Sequence, residues 1–213
     1  VRVRGALAAT AIAEEFRARG KRVLLVLDSL TRFAMAQRET SLAAGEPPVT
    51  KGYTPSVFAA LPSLLERAGN AEGPGSITAV YTVLVEGDDL SDPVADSARS
   101  ILDGHIVLSR SLADRGHFPA IDVLRSISRV AFDVAPPEQM RAVGRLRELM
   151  AAWEEALDLV RIGSYVPGSD PRVDTARAAI PQIEALLRQG AGELHHLGDS
   201  VQAFAELAQR FAE

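Results

Sequence analysis

Two places in this chain put carboxylates where a phosphate-handling site would need them. The first is Asp28, which ends the apolar run Val23-Leu24-Leu25-Val26-Leu27. An acid just past a buried strand can hold Mg²⁺ or its water near a phosphate, and ligands of open α/β sheets gather at that end. The same pattern describes an ordinary turn or helix cap, so Asp28 carries both readings. The second place is Glu86-Gly87-Asp88-Asp89-Leu90-Ser91-Asp92, which follows the β-branched run from Ser76 to Val85. Charges this dense cannot enter a dry core without partners. They form a solvated loop or, if both strands deliver acids to one sheet edge, part of a site.

Other chemistry falls away. His195 and His196 are adjacent, so they share no helix face, and no acid spacing nearby completes a metal set. The chain has no cysteine, which excludes disulfides, thiolate catalysis and a cysteine-built zinc site. Glu14 and Glu15 lie in a surface-helix pattern and offer no catalytic acid.

The elements that must position these acids follow from pattern. Five apolar residues without alternation predict a central strand of a parallel sheet, covered on both faces. Ahead of it, Ala8, Ile12 and Phe16 mark one face of a helix ending at Gly20. Behind it comes a helix from about residue 30, then the glycine- and proline-punctuated stretch from Gly45 to Tyr53. Thr54-Pro55 predicts a helix start with a hydroxyl cap, and Val57, Phe58, Leu61, Leu64 and Leu65 supply a buried stripe. Ser76–Val85 is a second strand. A short helix over Val94–Leu102, a strand at His105–Leu108, a helical turn at Ser109–Arg115 and an extended segment from Ala120 complete an α/β pattern whose short connections point to a mostly parallel sheet. Pro136-Pro137 marks a boundary. Beyond it Val143, Leu146, Met150, Trp153, Leu157 and Val160 define one long helix, with Trp153 read as core. Two further helices carry Ile180 to Leu187 and Val201 to Phe211. The domains expected are therefore 1–135, α/β, and 136–213, small and all-helical.

Composition bounds the rest. Apolar residues at 47% and charged residues at 24% suit a globular protein, and the formal charge of −5 gives no general attraction for nucleic acid. Nothing approaches the apolar length of a membrane span or the core of a signal peptide. Val1-Arg2-Val3-Arg4 leads straight into a helical pattern without an initiator methionine, which reads as a chain entered partway through a domain.

The blocks Val23–Ala34, Gly45–Pro48, Thr50–Phe58, Tyr81–Asp89, Ser100–Arg110, Pro119–Val123 and Ser126–Val130 together resemble one family: the rotary-ATPase relatives that energise flagellar and virulence type III protein export, kin of the F1 ATP synthase catalytic subunit. The resemblance spans nearly the whole chain and keeps the order of the blocks. It implies a partial RecA-like nucleotide-binding domain followed by a helical domain. Asp28 matches the Walker B aspartate, which supports Mg²⁺ through coordinated water, and Arg32 falls near the nucleotide one helical turn later. Phe118 stands where the family places an aromatic ring, often tyrosine, against adenine; it keeps the stacking face and loses the hydroxyl. Arg129 matches the arginine presented across a subunit interface to the γ-phosphate of a neighbour's ATP. Glu86, Asp88, Asp89 and Asp92 resemble the acidic loop that faces the central shaft.

ATP and Mg²⁺ are the implied cofactors. The implied partners are a homohexamer of the chain, a central stalk protein, an ATPase regulator, the export gate, and export chaperones and substrates. Nucleic acid is not among them, and the implied setting is the cytoplasmic face of the inner membrane with peripheral association only. No Gly-x-x-x-x-Gly-Lys-[Ser/Thr] pattern occurs. The expectation is thus a C-terminal fragment lacking the phosphate-binding loop, inactive alone and part of an ATPase when intact. Thr50-Lys51-Gly52-Tyr53 favours flagellar over virulence export. The alternatives are a virulence secretion ATPase, a proton-translocating ATP synthase subunit, and a nonenzymatic assembly or regulatory module.

Overall fold

The branched run becomes strand β1 (Arg22–Leu27), and a computed structural model describing residues 2–212 sets it parallel to β3 (Ser76–Tyr81). The register pairs Val23 with Ile77 and Leu27 with Tyr81. A two-residue strand, β2 (Gly69–Asn70), adds antiparallel to the other edge of β3, giving the order β1-β3-β2. Helix α1 (Arg2–Ala18) packs on this sheet, with α2 (Leu30–Ala43), α3 (Pro55–Leu65) and α4 (Pro93–Ile101) packed against one another beside it. Leu24, Val26 and Val80 stay exposed, so β1 is an edge strand open on one face and not the central strand covered on both faces that its apolar run predicts. Leu30, Phe33, Val57, Leu61, Leu64 and Val94 form the main core, so the apolar stripe read from α3 is the one that packs.

Three local expectations are corrected here. On α1 the inward residues are Thr10 and Ala13, while Ile12 and Phe16 are exposed. Small side chains allow α1 to lie close to the sheet: a Cβ on Gly75 would sit 2.0 Å from the carbonyl oxygen of Arg17. The second strand stops at Tyr81 rather than Val85. Its partner β1 has ended, and the Thr31 hydroxyl takes over, accepting from the Leu84 amide at 2.9 Å and donating to the Leu84 carbonyl at 3.3 Å. Thr54 precedes α3 but makes no side-chain cap; Glu46 Oε1 accepts from the Ser56 amide at 2.8 Å instead. Glu14 is also more engaged than its surface pattern suggests. Arg67 donates to both its carboxylate oxygens, at 2.9 and 2.5 Å, and thereby holds the acid below its ordinary pKa.

A second compact unit, residues 104–213, follows the first, residues 1–103. Here β4 (Gly104–Leu108) and β5 (Ile121–Ser128) pair antiparallel, because the connection through α5 (Arg110–Asp114) turns the chain back and is closed by the Ser109 amide donating to the Ala120 carbonyl at 2.8 Å. Parallel pairing is thus confined to β1 and β3 among the described residues. After the short α6 (Ala131–Val134) come α7 (Pro137–Arg161), α8 (Pro171–Leu187) and α9 (Leu197–Arg210). Proline at the first turn of α7 and α8 costs no hydrogen bond, and Asp170 caps α8 by accepting from the Arg172 amide at 2.9 Å. Leu146, Leu149, Ala152, Ala176, Ala179, Ile183 and Leu207 make the helical core, with Trp153 packed against it as expected. The class is therefore α/β followed by an all-helical region. No helix among the described residues is long and apolar enough to cross a membrane.

Candidate functional site

Asp28 is the first residue past β1 and is exposed. The backbone ladder reaches one step beyond the strand, with the Thr82 amide donating to the Leu27 carbonyl at 3.1 Å and the Leu30 amide to the Thr82 carbonyl at 2.9 Å. That step brings the Thr82 hydroxyl to Asp28, where it donates to Oδ1 at 2.8 Å. One carboxylate oxygen is thereby oriented. The cap of α2 is Ser29, whose Oγ accepts from the Arg32 amide at 3.2 Å, so Asp28 is not the residue that starts the helix. Arg32 lies exposed in the first turn of α2, one turn along from the acid.

The acidic loop opens with a single tight turn, Glu86–Asp88, in which Gly87 and Asp88 take φ of 61° and 59°. Its acids then divide in role. Asp92 caps α4, accepting from the amides of Val94 at 3.0 Å and Ala95 at 3.2 Å. Asp89 accepts from the Ser91 hydroxyl at 2.5 Å and from Lys51 Nζ at 3.0 Å, which bring its pKa down to about 2. Glu86 and Asp88 stay exposed at the tip. Lys51 was not a sequence candidate; nothing in its local pattern points across to residue 89.

In the second unit Phe118 precedes β5 and Arg129 follows it, so the two occupy opposite ends of one strand. Phe118 is 54% exposed and borders a cavity of about 540 Å³ that Arg188, Gln189, Gly190 and Glu193 also line. Its carbonyl accepts from the Gln189 amide at 2.8 Å. The neighbouring His117 is buried, and Arg188 Nε donates to its Nδ1 at 3.4 Å. Burial first, then the Arg188 charge, hold the imidazole below its ordinary pKa. Arg129 is exposed. Asp28, Arg32 and the acidic loop thus belong to residues 1–103, and Phe118 and Arg129 to residues 104–213.

Among the described residues no cluster of three or more acids or histidines could cage a metal. Mg²⁺ does not ask for one: it keeps several waters and takes one or two carboxylates together with substrate phosphates. A single exposed aspartate, oriented through one oxygen, fits that mode. An exposed aromatic face beside a cavity likewise fits a flat base.

Residues 1–128 match the ATP synthase alpha/beta family, nucleotide-binding domain, and residues 135–206 match the T3SS EscN ATPase C-terminal domain. This corrects the expectation of a C-terminal fragment, since residues 1–128 are matched by the nucleotide-binding domain itself; the Gly-x-x-x-x-Gly-Lys-[Ser/Thr] pattern still does not occur in these residues. The flagellum-specific ATP synthase of Salmonella typhimurium is 57% identical over 204 residues, which is 95% of this chain and 45% of that protein. The type 3 secretion system ATPase of Pseudomonas savastanoi pv. phaseolicola is 54% identical over 212 residues, 100% of this chain and 47% of that one. The chain therefore spans about half the length of the curated relatives it matches. Among solved structures, the assembled ATPase EscN from the enteropathogenic E. coli type III secretion system superposes with a TM-score of 0.90 at 46% identity, covering 95% of this chain and 49% of that one. EscN in complex with its central stalk EscO gives 0.87 at 45% identity, covering 97% and 49%. The chain belongs to the ATP synthase alpha/beta family, and along nearly its whole length it is similar to the flagellar and type III secretion ATPases.

Proposed function

We propose that this chain forms part of an ATPase that energises type III protein export, with each ATP handled at a junction between neighbouring copies. The observation that carries the reading is Asp28, an exposed carboxylate at the carboxyl end of a parallel strand, with one oxygen oriented by Thr82 and its cap duty taken by Ser29. In this reading residues 1–135 are the nucleotide-binding part and residues 136–213 the helical part. Bound Mg²⁺ neutralises charge on the phosphates, and Asp28 holds one of its waters. Arg32 adds positive charge beside that position. Phe118 offers its exposed face to the adenine, with the cavity beside it admitting the base.

Arg129 stands at the other end of β5 from Phe118, which supports assigning it to a different nucleotide from the one whose base Phe118 meets. A guanidinium delivered from a neighbour places donors on phosphoryl oxygens as their charge shifts, and it ties hydrolysis to assembly. This requires a ring or at least an ordered pair of copies, and the resemblance to the family supports a homohexamer. The exposed acids at the tip of the Glu86–Asp92 loop would face a central stalk, and the helical part would face the regulator, export gate, chaperones and substrates, at the cytoplasmic face of the membrane without spanning it.

The likeness to EscN structures supports a virulence-type system over the flagellar preference taken from Thr50–Tyr53. Deleting the gene separates the two: loss of effector secretion with motility intact supports the virulence reading, and loss of motility supports the flagellar one. For the ATPase itself, magnesium-dependent turnover by the assembled full gene product is the test. Asp28→Asn should lower turnover and weaken its magnesium dependence; unchanged kinetics would remove Asp28 from the site.

A further inference from the structure

The ladder between β4 and β5 is interrupted in an unequal way. His105 pairs with Ile127 and Val107 with Asp122, so one residue on β4 faces four on β5, Val123 to Ser126. This is a large, irregular bulge, and bulges re-aim the chain beside functional sites. Its interior is shaped by its own side chains: Asp122 Oδ1 accepts from the Arg125 amide at 3.0 Å, and Ser126 Oγ donates to the Asp122 carbonyl at 2.6 Å. The bulge carbonyls have left the ladder and need other partners. Arg147, in the long helix α7, supplies most of them. Its Nη2 donates to the Leu124 carbonyl at 3.1 Å, and its Nη1 donates to the carbonyls of Val123 and, at 3.3 Å, Ser126. The fourth carbonyl, that of Arg125, lies 3.1 Å from His105 Nε2. Arg147 forms no ion pair with an acid among the described residues, so its donors are committed to this backbone.

Arg129 follows the last of these acceptors by three residues, and the two between them, Ile127 and Ser128, rejoin the ladder opposite His105 and Gly104, so the bulge sets where that last stretch of strand lies. We infer that Arg147 is a positioning residue for Arg129: by holding the bulge carbonyls it fixes the direction in which β5 delivers that arginine, and it makes the helical part a mechanical support of the catalytic interface. The planar fork of a guanidinium can span several carbonyl oxygens from one position, which an ammonium cannot. The inference rests on the reading of Arg129 as the arginine presented to a neighbour's ATP.

The test uses the assembled full gene product. Arg147→Gln keeps a hydrogen-bonding side chain but cannot span the bulge. It should lower kcat by roughly 10²-fold, the cost of a misplacement of about 1 Å, while ATP binding stays at its wild-type value and the protein stays folded at the assay temperature with a modestly lower unfolding midpoint. Hydrogen exchange at residues 123–129 should accelerate. The double variant with Arg129→Ala should be no slower than Arg129→Ala alone, because both act through one group. Ser126→Ala loosens the same bulge from the strand side and should lower kcat in the same sense. It decides between the outcomes if the Gln variant does not assemble. If Arg129→Ala cuts turnover while folded Arg147→Gln or Ser126→Ala turns over normally, this inference falls and the reading of Arg129 stands. If Arg129→Ala itself turns over normally, both fall.

Discussion

The two strand ends that carry the proposed chemistry are built differently. Asp28 leaves β1 while the parallel ladder with β3 is still regular, and one hydroxyl, that of Thr82, finishes its orientation. Arg129 leaves β5 two paired residues, Ile127 and Ser128, beyond a bulge where the ladder is interrupted and side chains from β4 and α7 hold the backbone. The first end is set by sheet geometry, the second by a short resumed ladder behind a bulge that a few side chains hold through main-chain carbonyls. An acid that has only to keep a metal's water in place tolerates the generic solution. In the proposed reading, an arginine that crosses to a neighbour's phosphate gains from a second constraint behind the ladder that delivers it.

The sharpest break between the two ends is predicted at Arg129. Arg129→Ala in the assembled protein should leave ATP binding intact and reduce turnover by about 10³- to 10⁵-fold, the range for arginines supplied across interfaces. Next in size is a stability effect that isolates the support of the second end. Leu149 is fully buried in the helical core, and Leu149→Ala should cost about 2–5 kcal/mol in denaturant unfolding. Asp28→Asn should be milder than Arg129→Ala, at about 10- to 100-fold, as befits a residue acting on a metal through water. A loss as large as that of Arg129→Ala would mean that Asp28 touches the metal directly and would dissolve the contrast.

Smaller effects follow from two titrating groups. His117 is held below its ordinary pKa by burial and by Arg188. The unfolded chain therefore takes up a proton first, and stability should fall as pH drops below about 6.5. His117→Gln should flatten that part of the pH–stability curve; an unchanged slope would place its origin elsewhere. Asp89 titrates at about 2, with Ser91 the larger cause and Lys51 the next. Its folded-state advantage is present above the ordinary aspartate value near 3.9 and is lost as pH falls from there toward 2. Lys51→Ala should raise the Asp89 midpoint part of the way, read by carboxyl NMR, with little change in overall unfolding.

Asp28 and the acidic loop were legible because each is a contiguous signal: an apolar run, then charge. The long helices and the core place of Trp153 were legible for the same kind of reason, a sustained period. What escaped depends on main-chain acceptors. Arg147 has no acidic partner four residues away and reads as one more solvated arginine; its targets are carbonyls of Val123, Leu124 and Ser126, which carry no side-chain signature. Glu46 capping α3 in place of Thr54 is a contact across ten residues of loop. On α1, hydrophobicity pointed to Ile12 and Phe16, yet close approach to the sheet favoured Thr10 and Ala13. The β4–β5 pairing was misjudged through connection length, since a short helical turn can reverse a chain as readily as cross it over.

At Gly75 the carboxyl end of α1 and the start of β3 meet main chain against main chain, with no room for even a methyl group between them. In a library randomised at that codon, selection for folded protein should therefore return one letter, and alanine should be rejected as firmly as tryptophan.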